Sequence, residues 1–259
     1  MSLGGAKRWG ALREELARWR LAGEIARLWL RDDDAVTVTP ALERLTDLCA
    51  AHGVPYLVAA IPSRADEDLG AYLADQPLAE VAAHGCCHRN YAAKGKSEFP
   101  VGRPRAEIVR DLTTARMRIE TLFGAKAVPI YVPPWNRIAP EVAALVPAAG
   151  FRAISALGQT RSAIPSLLEI DVHLDVIDWR GSRGGRDPDA LANELAAHLS
   201  SARENGWSVT GILTHHLDHD ATAWSFLEDL FAETANHAGA RWVRASELLR
   251  PAAGHANCA

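Results

Sequence analysis

Two histidines four residues apart form the most informative pattern in the sequence. His84 and His88 enclose the segment His-Gly-Cys-Cys-His. Side chains at this spacing lie on one face of a helical turn, so both imidazoles can reach one divalent ion. Two unrelated surface histidines are one alternative. A thiolate site at Cys86 and Cys87 is another, although adjacent cysteine side chains diverge and pack more readily as small apolar residues.

An acidic run supplies the carboxylate that such a site needs. Asp32, Asp33 and Asp34 follow an apolar segment, and three adjacent carboxylates repel one another unless a positive charge lies among them. One carboxylate with two histidines is typical of catalytic zinc sites that keep positions open for water and substrate. In extended chain, Asp32 and Asp34 would point to one side and Asp33 to the other. A solvated acidic turn or a helix cap is the alternative.

Two further polar segments follow apolar runs. In Tyr131-Val-Pro-Pro-Trp-Asn-Arg137, the prolines restrict the backbone and can hold an N–H rigidly, as an oxyanion hole requires. A rigid structural loop is equally compatible with this pattern. In Asp175-Val-Ile-Asp178-Trp179, an Asp before a Trp can orient a histidine and line an apolar pocket, or can simply belong to a surface turn.

The segment His215-His216-Leu-Asp-His219-Asp220 contains the last candidate group. Neighbouring strand residues point to opposite faces, so only one of His215 and His216 can face an active site. A histidine there would suit a general acid. A second metal cluster at His216, His219 and Asp220 is an alternative, as is capping of the next helix by Asp218 or Asp220.

Short apolar strands alternate with helical segments through most of the chain, which predicts βα units and a parallel sheet. The polar clusters around Asp32, His84, Trp135, Asp178 and His215 each follow a predicted strand. In a parallel barrel those strand ends meet on one face, so we expect an α/β barrel of about seven units rather than an open sheet. We expect residues 1–24 to form a helix packed on a single barrel of residues 25–250, with a tail over 251–259.

The composition of the 259 residues excludes several classes of protein. The chain is 48% hydrophobic and 23% charged, with a net charge of −4. These values exclude a mainly disordered chain and argue against a nucleic-acid-binding protein. The four cysteines show no disulfide pattern, and neither a signal peptide nor a membrane-spanning segment is evident. We therefore expect a cytoplasmic protein.

Taken together and in this order, these segments resemble the polysaccharide deacetylase family, also called the NodB-homology or carbohydrate esterase family 4 fold. The resemblance spans about residues 25–216. It implies a distorted (β/α)7 barrel and removal of an N-acetyl or other N-acyl group from a sugar or polysaccharide. It also implies Zn²⁺ or another divalent transition metal as cofactor. An amidase acting on a non-sugar C–N bond and a non-catalytic metal-binding carbohydrate-recognition barrel are the alternatives, and a homo-oligomer is possible.

The resemblance also implies site residues. Asp32 would be the base and Asp33 a metal ligand, with Asp34 where the family usually has glycine. His215 would be the general acid, oriented by Asp178. The remaining expected site residues are the metal ligands His84 and His88, and the oxyanion or substrate-binding residues Trp135, Trp179 and Arg137.

One residue of the family pattern is replaced. Val132 stands where the family has an arginine that contacts the catalytic Asp. Arg31, Arg137 or Arg180 would have to supply the missing charge. Together with Asp34, this replacement indicates a divergent branch, for which activity on cell-wall polysaccharides is not implied.

Overall fold

The computed structural model describes residues 7–158, 164, 166–206 and 209–249. The helices of four or more α-helical residues are α1 (Gly10–Leu21), α2 (Pro40–His52), α3 (Glu67–Ala74), α4 (Arg105–Phe123), α5 (Pro140–Ala143), α6 (Pro188–Glu204), α7 (Ala221–Thr234) and α8 (Ala245–Leu248). The strands are β1 (Ala26–Ala35), β2 (Tyr56–Ala60), β3 (Ala79–His84), β4 (Ala127–Val132), β5 (Ala153–Ile154), β6 (Leu168–Glu169), β7 (Leu174–Asp175), β8 (Val209–Thr214) and β9 (Ala240–Trp242).

The strands form one parallel sheet in the order β6-β5-β4-β3-β2-β1-β8-β7, and β9 pairs with the first residues of β1. The two ends of this order are joined by residues 168–176. Ile170 N and Val172 N donate to the β5 side at Ile154 O and Ala156 O, whereas His173 N and Val176 N donate to Gly211 O and Leu213 O on the β8 side. The sheet is therefore curled, and the predicted distorted seven-unit α/β barrel is confirmed.

Side-chain alternation along the strands divides the core into two parts. Leu28 and Leu30 of β1 pack outward with residues of the surrounding helices, whereas Trp29 belongs to a smaller cluster of residues that face the barrel interior. On β8, Ile212 likewise faces outward and Leu213 inward. Because side chains alternate with a period of two, neighbouring polar residues at a strand end lie in different environments, one facing the helices and one facing the barrel interior.

Helix α2 illustrates how local signals set the elements. The Thr39 hydroxyl accepts a hydrogen bond from Leu42 N at 3.1 Å, Pro40 occupies the first turn, and Gly53 ends the helix with a φ of 66°. Proline at a helix start and left-handed glycine at its end are the usual combination. These local signals set the limits of α2 at both ends.

Helix α1 lies against α6, and its Leu12, Leu16 and Trp19 are buried. Glu15 on the same face is also buried and pairs with Arg203 at 2.7 Å, which compensates its charge. The predicted tail lies outside the described residues, and the division into domains stays a prediction. Among the described residues, we find no helix that is long and apolar enough to cross a bilayer. The cytoplasmic location stays a prediction.

Candidate metal and catalytic site

Strand β1 is longer than the sequence suggested and includes the whole acidic run. Asp33 pairs with Ala59 of β2, and Ala35 pairs with Ala60, so Asp34 is the extra residue of a β-bulge. Asp34 has a φ of 75°, in the left-handed region that aspartate tolerates better than most residues. The bulge turns the Asp34 side chain away from the direction that simple alternation would give it.

Asp34 lies with the two histidines of the His-x-x-x-His segment. Its Oδ1 is 3.2 Å from His84 Nε2 and 3.3 Å from His88 Nε2. One donor atom from each of the three residues lies within 4.8 Å of the others. The structure therefore brings together His84 and His88 as the sequence predicted, but with Asp34 in the place that the sequence assigned to Asp33.

The two histidines are held by different contacts. His84 Nδ1 lies 3.2 Å from the carbonyl oxygen of Val132, so that a proton on Nδ1 leaves Nε2 free to bind a metal. The His88 ring packs on Trp135, with ring centroids 4.6 Å apart. Burial would raise the pKa of Asp34, but its hydrogen bond to His84 and the nearby imidazoles hold that pKa well below its usual value.

The loop between the histidines depends on a residue that sequence reasoning missed. Glu98 accepts hydrogen bonds from Cys86 N at 2.8 Å and Cys87 N at 2.6 Å, and its side chain is buried. A Cβ on Gly85, whose φ is 65°, would clash with Glu98 Oε2. Glycine is therefore required there. Burial raises the pKa of the Cys86 thiol to about 12. Among the described residues, the group of potential metal ligands that lie close together contains neither Cys86 nor Cys87, which disfavours the thiolate zinc alternative.

Arg31 and Asp33 form an ion pair inside the barrel. Arg31 Nε lies 2.9 Å from Asp33 Oδ1, and Arg31 Nη2 lies 3.0 Å from Asp33 Oδ2. Arg31 also donates to Ser155 O at 3.0 Å and to Asn136 Oδ1 at 2.5 Å. The guanidinium is fully buried. Of the three arginines considered from sequence, Arg31 contacts an acidic-run residue, whereas Arg137 and Arg180 are exposed.

His215 faces the same interior. Its Nε2 is 4.0 Å from Asp33 Oδ2, and its ring and that of Trp179 form a T-shaped contact with centroids 4.6 Å apart. His215 Nδ1 is buried and has no hydrogen-bond partner among the described residues. The Asp33 carboxylate and the His215 imidazole thus lie close together, and each interacts electrostatically with the group formed by Asp34, His84 and His88.

Asp175 lies on the same side as His215. Trp179 Nε1 donates to Asp175 Oδ2 at 2.8 Å, and Ile177 N donates to Oδ1 at 3.0 Å. Burial raises the pKa of Asp175, and its attraction to His215 opposes that shift. Asp175 therefore interacts electrostatically with His215 and also fixes the Trp179 ring that packs on His215.

Comparison with solved structures shows which fold carries this site. A protein from Mycobacterium smegmatis described as a polysaccharide deacetylase superposes with a TM-score of 0.67 at 19% identity, over 86% of this chain and 88% of that one. A family 4 acetyl xylan esterase from Clostridium thermocellum, solved with a cobalt ion, gives 0.55 at 15% identity over 86% and 89%. The chain has the polysaccharide deacetylase fold. A family 4 pseudoenzyme from Bacillus anthracis also matches, with a TM-score of 0.58 at 17% identity over 87% of this chain and 66% of that one.

Comparison of sequences finds no match for this chain, whereas comparison of structures does. No protein-family model matches the chain, and no curated protein matches it. At identities of 15–19% the likeness to solved structures establishes the polysaccharide deacetylase fold. The presence of a pseudoenzyme with that fold means that activity must be argued from the residues of the site.

In this polysaccharide deacetylase fold, Asp32 does not face the interior. It is fully buried among the outward-facing residues, where Oδ1 accepts hydrogen bonds from the Thr214 hydroxyl and from His216 N, both at 2.8 Å. Its Oδ2 lies 2.5 Å from His216 Nδ1. Burial would raise the pKa of Asp32, but His216 lowers it overall. The structure thus removes Asp32 from the position expected of a base, because strand alternation points it away from His215.

Asp178 also lies elsewhere than the sequence suggested. Its carboxylate accepts hydrogen bonds from the amides of Arg180, Gly181 and Ser182 at 3.0–3.3 Å. It therefore closes the turn after Trp179. The carboxylate that interacts with His215 is Asp175, three residues earlier in the same segment.

The second metal cluster considered at the end of β8 is not formed in the described structure. His216 is paired with Asp32, and Asp220 caps α7 by accepting from Ala223 N at 2.9 Å. His219 makes a T-shaped contact with the Trp224 ring, and burial lowers the pKa of His219 to about 4. Helix capping by Asp220 is the interpretation that the geometry supports.

The remaining predicted residues lie at the mouth of the site. Trp135 has a φ of 58° in a one-turn 3-10 helix over Pro134–Asn136, and its ring contacts His88. Trp179 is 39% exposed beside His215. Arg137 is exposed two residues after Trp135. The two tryptophans thus lie beside opposite members of the site, His88 and His215.

Proposed function

We infer that this protein is a metal-dependent hydrolase that removes an N-acyl group, most simply N-acetyl, from an amino sugar or its polymer. The observation that carries this proposal is the juxtaposition of Asp34, His84 and His88 with the Asp33–His215 pair. A ligand set with open positions beside one carboxylate and one imidazole is what hydrolysis of a stable C–N bond requires.

The three ligand residues suit zinc or another divalent transition metal. One carboxylate and two imidazoles leave coordination positions for water and substrate. The hydrogen bond between His84 Nδ1 and Val132 O, 3.2 Å in length, fixes the tautomer that presents Nε2. When bound, the metal would supply Lewis-acid polarisation of the acyl carbonyl and lower the pKa of a water molecule.

Asp33 is the proposed base, in place of Asp32. Its carboxylate takes a proton from the water that adds to the acyl carbon. Arg31 contacts both carboxylate oxygens, which fixes the direction of the group. The ion pair with Arg31 thus orients the Asp33 carboxylate before the substrate binds.

His215 is the proposed general acid. Its Nε2, 4.0 Å from Asp33 Oδ2, donates a proton to the nitrogen as the C–N bond breaks. The products are the carboxylic acid and the free amine. Asp175, in place of Asp178, stabilises the protonated imidazole, since its charge attracts His215.

Trp135 and Trp179 are the proposed walls of the substrate site, with Arg137 beside them. The amide of Trp135 has no protein acceptor in the described part of the chain, and a rigid N–H of this kind can stabilise the oxyanion. Such a donor is worth about 3–4 kcal/mol in the transition state. Aromatic rings on both sides suit the apolar face of a sugar or an acyl methyl.

The decisive experiment measures amine release by the zinc- or cobalt-loaded protein. The substrates are short chito-oligosaccharides, N-acetyl amino sugars and simple N-acyl amides. We expect turnover of the sugar substrates and a loss of about 10²–10⁴-fold in Asp33→Asn, the range for removal of a general base. Asp68→Asn, an exposed carboxylate of α3, is the matched control and should keep wild-type activity.

The outcomes separate the candidate functions. Turnover of simple amides without turnover of the sugar substrates would show that the protein is an amidase acting on a non-sugar C–N bond. Binding of sugars and metal without amine release would make the protein a non-catalytic carbohydrate-binding barrel. Equal activity of Asp33→Asn and wild type would remove Asp33 from the mechanism.

A further inference from the structure

We propose that the cavity lined by Lys94 and Arg137 is a subsite for an anionic group of the substrate, a carboxylate or a phosphate ester carried on the sugar. This inference rests on the proposed function, because it specifies the substrate of the same site. It follows from an excess of cations without carboxylate partners in and beside one cavity.

The cavity has a volume of about 440 Å³ and is lined by both charged and apolar groups. Lys94 and Arg137 are its charged lining residues, and no carboxylate lines it. Phe99, Val101 and Ile138 supply apolar surface. A concave surface with a few convergent charges of one sign is typical of a site that binds a small group of the opposite sign.

A third cation lies next to this cavity. Lys96 Nζ is 5.7 Å from the centroid of the Trp135 ring. Arg137 Nη1 would lie 3.4 Å from a Cβ on Gly95, the residue between the two lysines. The loop thus places Lys94 beside Arg137 in the cavity wall and Lys96 over the Trp135 ring. Because that tryptophan also packs on His88, Lys96 connects the loop to the proposed metal group.

The loop that carries the lysines has a defined shape. Asn90 Oδ1 accepts hydrogen bonds from Ala92 N at 3.1 Å and from Ser97 N at 3.0 Å, and Asn90 Nδ2 donates to Gly95 O at 3.2 Å. One side chain therefore ties together both ends and the tip of the loop. The lysines therefore lie on a hydrogen-bonded loop and not on an irregular coil segment.

The three cations are not balanced by acidic side chains. In the part of the chain that the structure describes, Lys94, Lys96 and Arg137 have no carboxylate within ion-pair distance. The neighbouring cavity differs, because its Arg103 pairs with Asp111 at 2.7 Å. Since the whole chain carries a net charge of −4, this local positive excess runs against the overall charge. It would attract an anionic group to the site.

Binding to the zinc-loaded protein tests the proposal without requiring catalysis. The probes are three chito-oligosaccharides of equal length, one neutral, one carrying carboxyethyl ethers and one carrying phosphate esters. Calorimetry at low and high ionic strength gives their affinities. We expect at least one charged probe to bind about tenfold tighter than the neutral one, as for a charge-assisted hydrogen bond. This advantage should shrink as salt is added.

Substitutions locate the effect. In Lys94→Ala and Arg137→Ala, the ratio of charged to neutral affinity should fall toward one. Arg20→Ala, at an exposed arginine of α1, is the control and should keep the wild-type ratio. The arm with the larger advantage identifies carboxylate or phosphate as the group.

Equal affinity for the three probes, or a preference retained in both variants, would overturn the subsite. A charged-probe preference without amine release from any probe would leave the subsite in place and refute the proposed deacetylation. The two proposals can therefore fail separately.

Discussion

Arg31 contacts both carboxylate oxygens of Asp33 inside the barrel, at 2.9 and 3.0 Å, with neither side chain accessible to solvent beyond traces. The same guanidinium reaches Ser155 on the far side of the interior. An arginine two residues before its partner on one strand can do this because both side chains point inward. The charge that the sequence lacks at Val132 is thus supplied from β1 itself.

Replacing Arg31 by methionine should destabilise the protein by about 3–5 kcal/mol, the cost of leaving a buried charge unpaired. The measurement is urea denaturation at neutral pH. Adding Asp33→Asn to the same chain should recover most of the loss, because neither charge of this ion pair then remains. Arg110→Met, at an arginine whose side chain is 69% exposed, should stay within about 0.5 kcal/mol. A similar loss of unfolding free energy in Arg31→Met and Arg110→Met would contradict the buried ion pair.

Metal binding should depend on Asp34 and not on Asp33. In Asp34→Ala the loss of a charged ligand should weaken zinc affinity by more than about 100-fold. Substitution of residues that only hydrogen-bond to metal ligands already weakens metal affinity by up to about 100-fold. Asp33→Asn should keep stoichiometric zinc, since its carboxylate is committed to Arg31. Equilibrium dialysis followed by metal analysis distinguishes the two. Loss of zinc in Asp33→Asn with retention in Asp34→Ala would restore the assignment that the sequence suggested.

Asp32 should stabilise the end of β8 on both sides of His215. The residue binds Thr214 and His216, which flank His215 in sequence. Comparing Asp32→Asn, His216→Gln and the double variant in a thermodynamic cycle should give a coupling of about 1–3 kcal/mol. The Asp32→Asn variant should also lose kcat while keeping its zinc, because only the direction of His215 is disturbed. A coupling near zero would mean that the ion pair is not formed in solution.

His173 should make the protein less stable in acid. Burial and the neighbouring His198 lower the pKa of His173 to about 4, and its Nδ1 accepts a hydrogen bond from Gly211 N at 3.0 Å. Since the unfolded chain binds a proton near pH 6.5, stability should fall as the pH drops from about 6.5 to 4 and level off below. At about 1.4 kcal/mol per pH unit, the loss reaches at most about 3.5 kcal/mol.

The test for His173 is the pH dependence of urea denaturation. In His173→Asn the side-chain oxygen can still accept from Gly211 N, but the titration is gone, so the decline between pH 6.5 and 4 should become shallower. His237→Asn is the matched control, because His237 Nδ1 likewise accepts from a glycine amide, Gly239 N, at 3.0 Å. An unchanged decline in His173→Asn would show that other groups cause the acid sensitivity.

Much of the fold could be predicted from the sequence because its signals are local. Alternating apolar segments predicted the parallel barrel, and the proline and glycine at the two ends of α2 are local signals of the same kind. His84 and His88 could also be paired from spacing alone, since both lie in one short segment. Glu98 could not be predicted to hold that segment, because its hydrogen bonds to Cys86 N and Cys87 N cross a loop of ten residues.

The sequence by itself determined that carboxylates, histidines and tryptophans meet at one end of a barrel. Only the tertiary structure decided which carboxylate does what. Strand alternation sends Asp32 outward to His216 and Asp33 inward to Arg31, and a bulge then turns Asp34 toward His84. A bulge shifts every later side chain by one position, and it arises from pairing with a strand more than twenty residues away. The physical reason for the difference is therefore register, which belongs to the sheet and not to any one segment.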